Sequence, residues 1–249
     1  MQRHCARRCR IEAIRKSDDD PEVSQAELIR FFGVLAHDLK SPIFAVDGFS
    51  ELLLGDYIDK LDEDGQDFLQ RIRTSTLYMK RILDDMSGMI RLLVRPNAMK
   101  PTPLRELIEE VIREHNVAIE DGEVSIDIAP GLPVVNADPE KIREAVSALV
   151  ANALFFTDRP KGEQRIAFEC STEPQAHRIC IRDNGTGIDA RYISHIFDLG
   201  GVSKLDKSRG GGPGYGLYLA KRLIESQGGE LTVDSTEGEG SVFCFTVPR

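Results

Sequence analysis

The sequence lacks the features that would place a protein in a membrane or outside the cell. Its 249 residues contain no run of about 18 apolar residues, and the first ten, MQRHCARRCR, lack the apolar stretch of a secretory signal peptide. Prolines are few, at 12, whereas hydrophobic residues reach 41% and charged residues 29%, a balance typical of folded chains. We therefore expect a cytoplasmic globular protein, with no membrane contact within this chain and with one large or two ordinary domains.

Cysteine is also scarce, and its five copies are an odd number. Three of them lie in apolar alternating segments: Cys170, Cys180 and Cys244. We expect these three to be reduced core residues, so that no disulfide scaffold is needed. Cys5 and Cys9 stand one helical turn apart near His4, but two thiols and one imidazole are a weak metal signal, and solvated surface is the simpler interpretation.

The charge balance points away from nucleic acid as a partner. The net charge is −9, yet residues 1–16 carry six basic side chains against one acidic one, so the rest of the chain is more acidic than the total. Nucleic acids need a sustained basic surface, which this acidic body does not offer. Residues 1–20 form a basic N-terminal segment. It is either the frayed edge of a longer chain, with a sensor or membrane segment upstream, or a short contact to RNA or anionic lipid.

Two long apolar stripes at helical spacing follow this segment. The first begins after Asp20-Pro21, a capping acid with proline at the first helical position, and breaks at the turn GDYIDKLDEDG over residues 55–65. The second ends before Arg95-Pro96. The spacing predicts a helical hairpin over residues 21–93. Two helices of this length cannot hide their stripes by pairing once, so we expect a homodimer with a four-helix bundle.

The pattern changes after residues 94–103, VRPNAMKPTP, whose three prolines and missing apolar period predict a linker. Residues 104–249 then alternate between helical and strand periods. The predicted helices span residues 104–115, 139–156 and 215–226, and the predicted strands span 124–129, 164–171, 178–182, 230–235 and 241–247. The expected fold class is therefore α + α/β: a helical hairpin that forms a dimeric four-helix bundle, followed by a two-layer α/β sandwich with its helices on one face of one sheet.

Three short motifs in the second domain suit a nucleotide. Asn152, late in a predicted helix, carries a neutral amide oxygen of the kind that Mg²⁺ accepts. The run DNGTG, Asp183–Gly187, joins a carboxylate for a purine amino group to glycines that permit close backbone approach, although alone it would more often be an ordinary turn. Residues 210–217, GGGPGYGL, open a helix whose N–H groups suit phosphates, or form a flexible loop. Together the motifs are more specific, and Phe156 offers a ring against which a base can pack.

With these motifs the sequence resembles the sensor histidine kinases of bacterial two-component systems, whose ATP-binding domain is related to those of gyrase and the heat-shock ninety chaperones. The resemblance spans residues 22–249. Asn152 falls on the family's N box, Asp183–Gly187 on its first glycine box and Gly214–Leu217 on its second. Phe197 falls on the F box.

Two further segments carry the resemblance. Residues 206–214, DKSRGGGPG, look like the family's ATP lid. In the hairpin, FFGVLAHDLKSP over residues 31–42 looks like the H box, with His37 at the phosphorylated position and Pro42 five residues later. The other histidines lie in no such setting, and we expect them to be plain surface residues: His4, His115, His177 and His195.

The resemblance implies an ATP-dependent protein-histidine kinase that uses ATP and Mg²⁺. It implies that His37 receives the γ-phosphoryl group and that an aspartate of a response-regulator receiver domain, on a separate protein, then receives it from His37. The implied ATP-binding residues are Asn152, Phe156, Asp183, Gly185, Gly187, Lys207, Arg209, Gly212, Gly214, Gly216 and Leu217, and Asn152 is also the implied metal ligand.

The chemistry of the residues agrees with this. His37 projects off the apolar stripe of its helix, where a neutral imidazole nitrogen can attack phosphorus. Asp38 can accept a hydrogen bond from the other ring nitrogen of His37 or take the proton of that nitrogen. The alternative is that Asp38 is an acidic residue on the solvated surface of the helix. Mg²⁺ and lid cations such as Lys204, Lys207 or Arg209 can neutralise the phosphates. His37 and Asp38 are thus the predicted catalytic residues.

Four positions depart from the family pattern. Ala148 stands where a further polar residue is usual, Phe155 where a phosphate-contacting lysine is common and Pro213 where threonine is frequent, so we expect reduced activity. Ser41 replaces the threonine or asparagine that orients water in members that dephosphorylate their partner, so we expect little phosphatase activity.

Two alternatives stay open at this point. One is a phosphotransfer hub or pseudokinase, in which His37 receives phosphate from another protein and the ATP-binding domain is degenerate. The intact glycine boxes argue against it. The other is an ATPase motor of the gyrase or chaperone type, which should carry a glutamate base near position 148, where this chain has alanine.

Overall fold

The computed structural model describes residues 25–157, 159–199 and 214–249, apart from the side chains of residues 25–32, 37, 81, 85, 86 and 89. The chain divides into two compact units, Met1–Leu83 and Asp84–Arg249. The expectations for the basic segment, for Cys5, Cys9 and His4, and for the helix start at Asp20-Pro21 lie outside the described residues.

The first unit is built from two long helices. It holds α1 (Gln25–Asp56), a 3-10 turn (Ile58–Lys60) and most of α2 (Glu63–Val94). The Gln66 side chain closes the connection, because its Nε2 donates to the carbonyl oxygens of Ile58 at 3.1 Å and Leu61 at 3.2 Å. Each helix has 32 residues.

The helices of the first unit leave much of their apolar surface exposed. Large exposed side chains on the two helices include Phe44, Phe49, Leu52, Phe68, Ile72 and Met79. Phe49 is 68% exposed and Phe68 is 62% exposed. None of the described helices combines the length and the apolar composition that crossing a membrane requires. Within a single chain, the described parts of α1 and α2 therefore do not fully cover each other's apolar stripes.

The second unit contains the α/β fold. Its further helices are α3 (Leu104–Glu114), α4 (Asn116–Gly122), α5 (Pro139–Phe155) and α6 (Gly216–Glu225). Its strands are β1 (Lys100–Pro103), β2 (Ser125–Ile128), β3 (Val134–Ala137), β4 (Arg165–Thr172), β5 (Ala176–Asp183), β6 (Leu231–Thr236) and β7 (Gly240–Pro248). The main sheet has the order β2-β4-β5-β7-β6, in which β2 is parallel to β4 and the other pairs are antiparallel. A small antiparallel ribbon pairs β1 with β3.

The core lies between one face of the sheet and the helices. Alternate residues of the middle strands are buried there, among them Ile179, Ile181, Phe243 and Phe245. They belong to one hydrophobic cluster with residues of α3, α5 and α6, which include Leu104, Ile108, Ile142, Val146, Ala220 and Leu223. Because successive strand residues face opposite sides, this alternation buries one face of the sheet. The predicted two-layer α/β sandwich is confirmed.

The predicted linker differs from the structure at its C-terminal end. Residues 100–103 form β1, which pairs along its length with β3. The Thr102 hydroxyl also donates to the carbonyl oxygen of Ala137 at 3.3 Å. Two prolines in the four residues of β1 conceal a strand from the sequence pattern, since proline is tolerated in edge strands but is typical of linkers. The short elements α4 and β3 are likewise absent from the sequence-based prediction.

The expectation of three reduced cysteines was wrong for two of them. Cys180 and Cys244 form a disulfide. They lie directly opposite each other in the antiparallel register of β5 and β7, with their Cα atoms 4.1 Å apart. Cys170 is a free, half-buried thiol, and burial raises its pKa. The pairing depends on the register of two strands far apart in sequence, which the local setting of each cysteine does not reveal.

Candidate functional site

Helix α5 carries the asparagine of the candidate nucleotide site. The helix begins where the Asp138 side chain accepts hydrogen bonds from the backbone N–H groups of Glu140 and Lys141, with Pro139 in the first turn. Asn152 lies in its last turn and is half-buried. Among the described residues, no hydrogen bond engages the Asn152 side-chain amide. Its oxygen is therefore available to a cation.

Asp183 ends β5 and is held in one orientation. Its side chain is buried, and its Oδ1 accepts from the backbone N–H of Gly185 at 2.9 Å and of Ser241 at 3.2 Å. Burial raises the pKa of this carboxyl above its ordinary value, and the two N–H donors partly offset the rise. Within the described part of the chain, neither donor reaches Oδ2. This second oxygen can accept a hydrogen bond from a ligand amino group.

The first glycine box passes close to the backbone on both sides. A side-chain carbon at Gly185 would collide with the carbonyl group of Phe156, and one at Gly187, where φ is +66°, would collide with the carbonyl group of Thr236. Hydrogen bonds fix the loop in the same places: Thr186 N–H donates to the Phe156 carbonyl oxygen at 3.0 Å, and Gly238 N–H donates to the Thr186 carbonyl oxygen at 2.7 Å. Only glycine fits these two positions.

Arg159 supports this loop, a role that the sequence did not reveal. Its Nε donates to the carbonyl oxygen of Asn184 at 2.8 Å, and its Nη2 donates to that of Gly238 at 3.0 Å. The Asn184 side chain adds a second anchor, since its Nδ2 donates to the Glu163 carbonyl oxygen and its Oδ1 accepts from Arg165 N–H. These hydrogen bonds hold the loop that follows Asp183 in place.

The second glycine box lies beside α5. Gly214 has a φ of +71°, and α6 begins at Gly216. A side-chain carbon at Gly216 would come within 3.8 Å of the Ala148 Cβ, one helical turn before Asn152. Leu217 is 4% exposed and packs in the core. The start of α6, whose first N–H groups have no partner within the helix, is thereby brought next to the helix that carries Asn152.

Phe156 and Phe197, which the sequence motifs single out, each pack against another phenylalanine. Phe156 follows the last residue of α5 and is half-buried, with its ring edge-to-face to Phe155 at a centroid distance of 4.9 Å. Phe155 itself is 39% exposed. Phe197 packs edge-to-face on the core residue Phe243 at 6.4 Å, and the Lys221 ammonium lies 5.2 Å from the Phe197 ring centroid.

Several predicted residues lie outside the described residues. These are the lid residues Lys204, Lys207, Arg209, Gly212 and Pro213. His37 lies in α1, although its side chain is outside the described set, and Asp38 is exposed beside it. The structure therefore brings Asn152, Phe156, Asp183 and the described glycines together in the second unit, and places His37 and Asp38 in the first.

Two histidines outside the H box, His115 and His177, are not plain surface residues. His177 is half-buried, and its Nδ1 lies 3.2 Å from the Thr172 hydroxyl oxygen. His115 is half-buried, and its Nε2 lies 3.0 Å from the Ser147 hydroxyl oxygen. Desolvation by burial lowers the pKa of His115, although the neighbouring Glu114 acts in the opposite direction. His195 is exposed, as expected, with its Nδ1 3.0 Å from Asp198 Oδ2.

Comparison with known proteins identifies both parts of the chain. Residues 27–93 match the family described as His Kinase A (phospho-acceptor) domain. Residues 137–249 match the family described as Histidine kinase-, DNA gyrase B-, and HSP90-like ATPase. The fold and the glycine-framed aspartate thus define an ATP-binding domain of this superfamily, preceded by phospho-acceptor helices.

The similar proteins agree with this class. Cyanobacterial phytochrome B of Nostoc sp. is 33% identical over 226 residues, which are 91% of this chain and 30% of the phytochrome. The structure of full-length ShkA in complex with AMPPNP has a TM-score of 0.69 at 21% identity, over 88% of this chain and 45% of ShkA. The Acinetobacter baumannii histidine kinase AdeS has a TM-score of 0.60 at 18% identity, over 85% of this chain and 97% of AdeS. At such identities the two structures show the fold alone.

The chain belongs to the sensor histidine kinase family of two-component systems. It spans about 30% of the length of the first two curated relatives that it matches.

Proposed function

We propose that this chain is an ATP-dependent histidine kinase. In the reaction, an imidazole nitrogen of His37 attacks the γ-phosphorus of ATP, the bond from that phosphorus to the bridging oxygen breaks, and ADP leaves with the electron pair. The observation that carries the proposal is the geometry of Asp183. Its Oδ1 is held by two backbone N–H groups, and its Oδ2 is left to accept from the amino group of adenine.

The residues of the second unit fit ATP and Mg²⁺. The glycines at 185 and 187 let the loop after Asp183 pack directly against the carbonyl groups of Phe156 and Thr236, and Phe156 offers a half-buried ring to a base. The Asn152 amide oxygen is free among the described residues and is the type of hard ligand that Mg²⁺ accepts. The metal would neutralise phosphate charge, while Asn152 would hold it at the end of α5.

The residues of the first unit supply the acceptor. His37 and the exposed Asp38 follow one another on α1. We assign His37 as the nucleophile and Asp38 as the group that accepts or takes the proton of the imidazole, which raises the nucleophilicity of the ring. The exposed apolar surface of α1 and α2 supports a homodimer, because two chains that share a four-helix bundle would cover it.

We assign the remaining steps and boundaries in the same way. Residues 21–93 form the dimerisation and phosphotransfer hairpin, and residues 104–249 form the catalytic domain. The phosphoryl group passes from His37 to an aspartate of a response-regulator receiver domain on a separate protein. We place the reaction in the cytoplasm, where ATP and such a partner would meet.

Autophosphorylation with γ-labelled ATP and Mg²⁺ tests the proposal. We expect label on His37 that is acid-labile and base-stable, and none in the His37→Gln variant. The hub alternative predicts no ATP binding, so calorimetry with ATP separates the two. A wild-type protein that binds ATP and Mg²⁺ but never labels His37 would contradict the kinase assignment.

A further inference from the structure

A buried lysine joins the segment after α2 to the catalytic domain. Lys141, in the first turn of α5, is 1% exposed. Its Nζ donates to the carbonyl oxygen of Arg95 at 3.0 Å, to Asn97 Oδ1 at 2.6 Å and to the hydroxyl oxygen of Ser226 at 3.4 Å. An ammonium group has three donors, and all three are used here. Burial lowers the pKa of Lys141, which Asp138 partly offsets.

The aspartate that caps α5 holds the same segment. Asp138 is fully buried, and the Arg95 Nη2 lies 2.9 Å from both of its carboxylate oxygens. The backbone N–H of Ala98 donates to Asp138 Oδ2 at 2.7 Å. Burial alone would raise the pKa of Asp138, but the hydrogen bonds from Ala98, Arg95 and Lys141 bring it below its ordinary value.

The end of α6 completes this cluster. Asp138 N–H donates to Gln227 Oε1 at 2.7 Å, and the Asn97 Nδ2 donates to the carbonyl oxygen of Ser226. We call the whole set the polar clasp. Its members are Arg95, Asn97, Ala98, Asp138, Lys141, Ser226 and Gln227.

The polar clasp lies at the opposite end of two helices from the candidate nucleotide site. Lys141 and Asn152 are on the same helix, eleven residues apart, which corresponds to roughly 16 Å along the axis. Helix α6 begins with the second glycine box at Gly216 and reaches the clasp just past its end, at Ser226. The two helices of the candidate nucleotide site, α5 and α6, therefore both have their opposite end at the residues that follow α2.

We propose that Lys141 is a positioning residue for phosphoryl transfer. By tying α5 and α6 to residues 95–98, it couples the nucleotide end of these helices to the segment that leaves the phospho-acceptor helices. This inference rests on the proposed kinase function. The buried Lys141 ammonium binds a backbone carbonyl, an amide and a hydroxyl, and it therefore fixes the position of residues 95–98 relative to α5 and α6. Apolar packing alone would let this segment slide along the helices.

The test compares two variants of the clasp with a matched control in the full chain. Lys141→Met removes the ammonium group but keeps most of the side-chain volume. Asn97→Ala removes one acceptor of the Lys141 ammonium, together with the Nδ2 donor to Ser226, at an exposed residue and therefore carries little risk of unfolding. Lys100→Met makes the same chemical change at an exposed lysine on β1. For each protein, the ATP dependence of His37 phosphorylation gives kcat and KM, calorimetry gives the ATP Kd, and circular dichroism gives Tm.

We expect kcat to fall about ten-fold in Lys141→Met and several-fold in Asn97→Ala, because small misplacements far from the reacting atoms have effects of this size. KM and the ATP Kd should stay within about two-fold, and Lys100→Met should match the wild type. An unchanged kcat in both variants, or a loss of ATP affinity equal to the loss of rate, would overturn the coupling role. A wild-type protein that never labels His37 would overturn the kinase function, and this inference with it.

Discussion

Replacing Asp183 with asparagine should remove most of the ATP affinity and leave the fold intact. The amide oxygen of the new side chain can still accept from the N–H groups of Gly185 and Ser241, which hold Oδ1 in the native side chain. The new NH₂ group takes the place of Oδ2, however, and faces the amino group of adenine with a second donor. The substitution therefore changes the ligand side of the residue alone.

The size of the effect follows from the burial of Asp183. A hydrogen bond to a charged group contributes about 1.5–3 kcal/mol, which is a weakening of about 10- to 150-fold in Kd. Because the pKa of Asp183 is already raised by burial, the loss of the charge should not destabilise the domain.

Calorimetry with ATP and Mg²⁺ measures the affinity, and light scattering checks the dimer. Asp127→Asn, at an exposed acid on β2, is the matched control and should bind ATP like the wild type. If Asp183→Asn binds ATP with native affinity, the purine lies elsewhere. If it becomes monomeric, the two parts of the chain are not independent.

The remaining predictions concern the acceptor, the family departures and pH. His37→Gln should abolish acid-labile label while the ATP Kd stays the same, and any label that persists would place the acceptor elsewhere. Phe155→Lys combined with Ala148→Asn should speed autophosphorylation at limiting ATP by roughly 10- to 100-fold, because a charge-assisted phosphate contact contributes about 1.5–3 kcal/mol; an unchanged rate would show that other cations already hold the phosphates. As pH falls, ATP binding should fail before the fold does, since the pKa of Asp183 is raised and its carboxylate is lost first. The pKa of Asp138 is lowered, so its contribution to stability is present above the ordinary value of 3.8 and disappears only as pH falls through the lower native value. One acid titration followed by fluorescent-nucleotide binding and by circular dichroism tests this order. Unfolding at a higher pH than the loss of nucleotide binding would contradict it.

Sequence patterns predict the elements of this chain well where the signals are local. The Asp138-Pro139 cap marks the start of α5 to the residue, and the alternation around Ile179 and Phe243 marks the middle strands. Asp183 and the glycines stand in short contiguous motifs, which the sequence displays without any knowledge of their partners in space.

The features that were missed depend on contacts between distant segments. Lys141 is a charged residue in the first turn of α5, and its burial is explained by Arg95, Asn97 and Ser226, which lie far from it in sequence. The donor Ser241 and the frame provided by Arg159 become visible only once the strands are paired.

The Cys180–Cys244 bond also makes part of the molecule into a covalent ring. The two cysteines are 64 residues apart, and the chain between them carries both glycine boxes, the residues predicted to form the ATP lid, and α6. Helix α5 with Asn152 lies outside the ring. Closing a loop of this length reduces the entropy of the unfolded chain by an amount that stabilises the fold by about 4 kcal/mol. In a reducing cytoplasm the two cysteines would be kept as thiols, and the ring would be open. The same sequence therefore has two covalent forms. In the oxidised form residues 180–244, which carry the glycine boxes, are a closed loop, and in the reduced form they are an open chain.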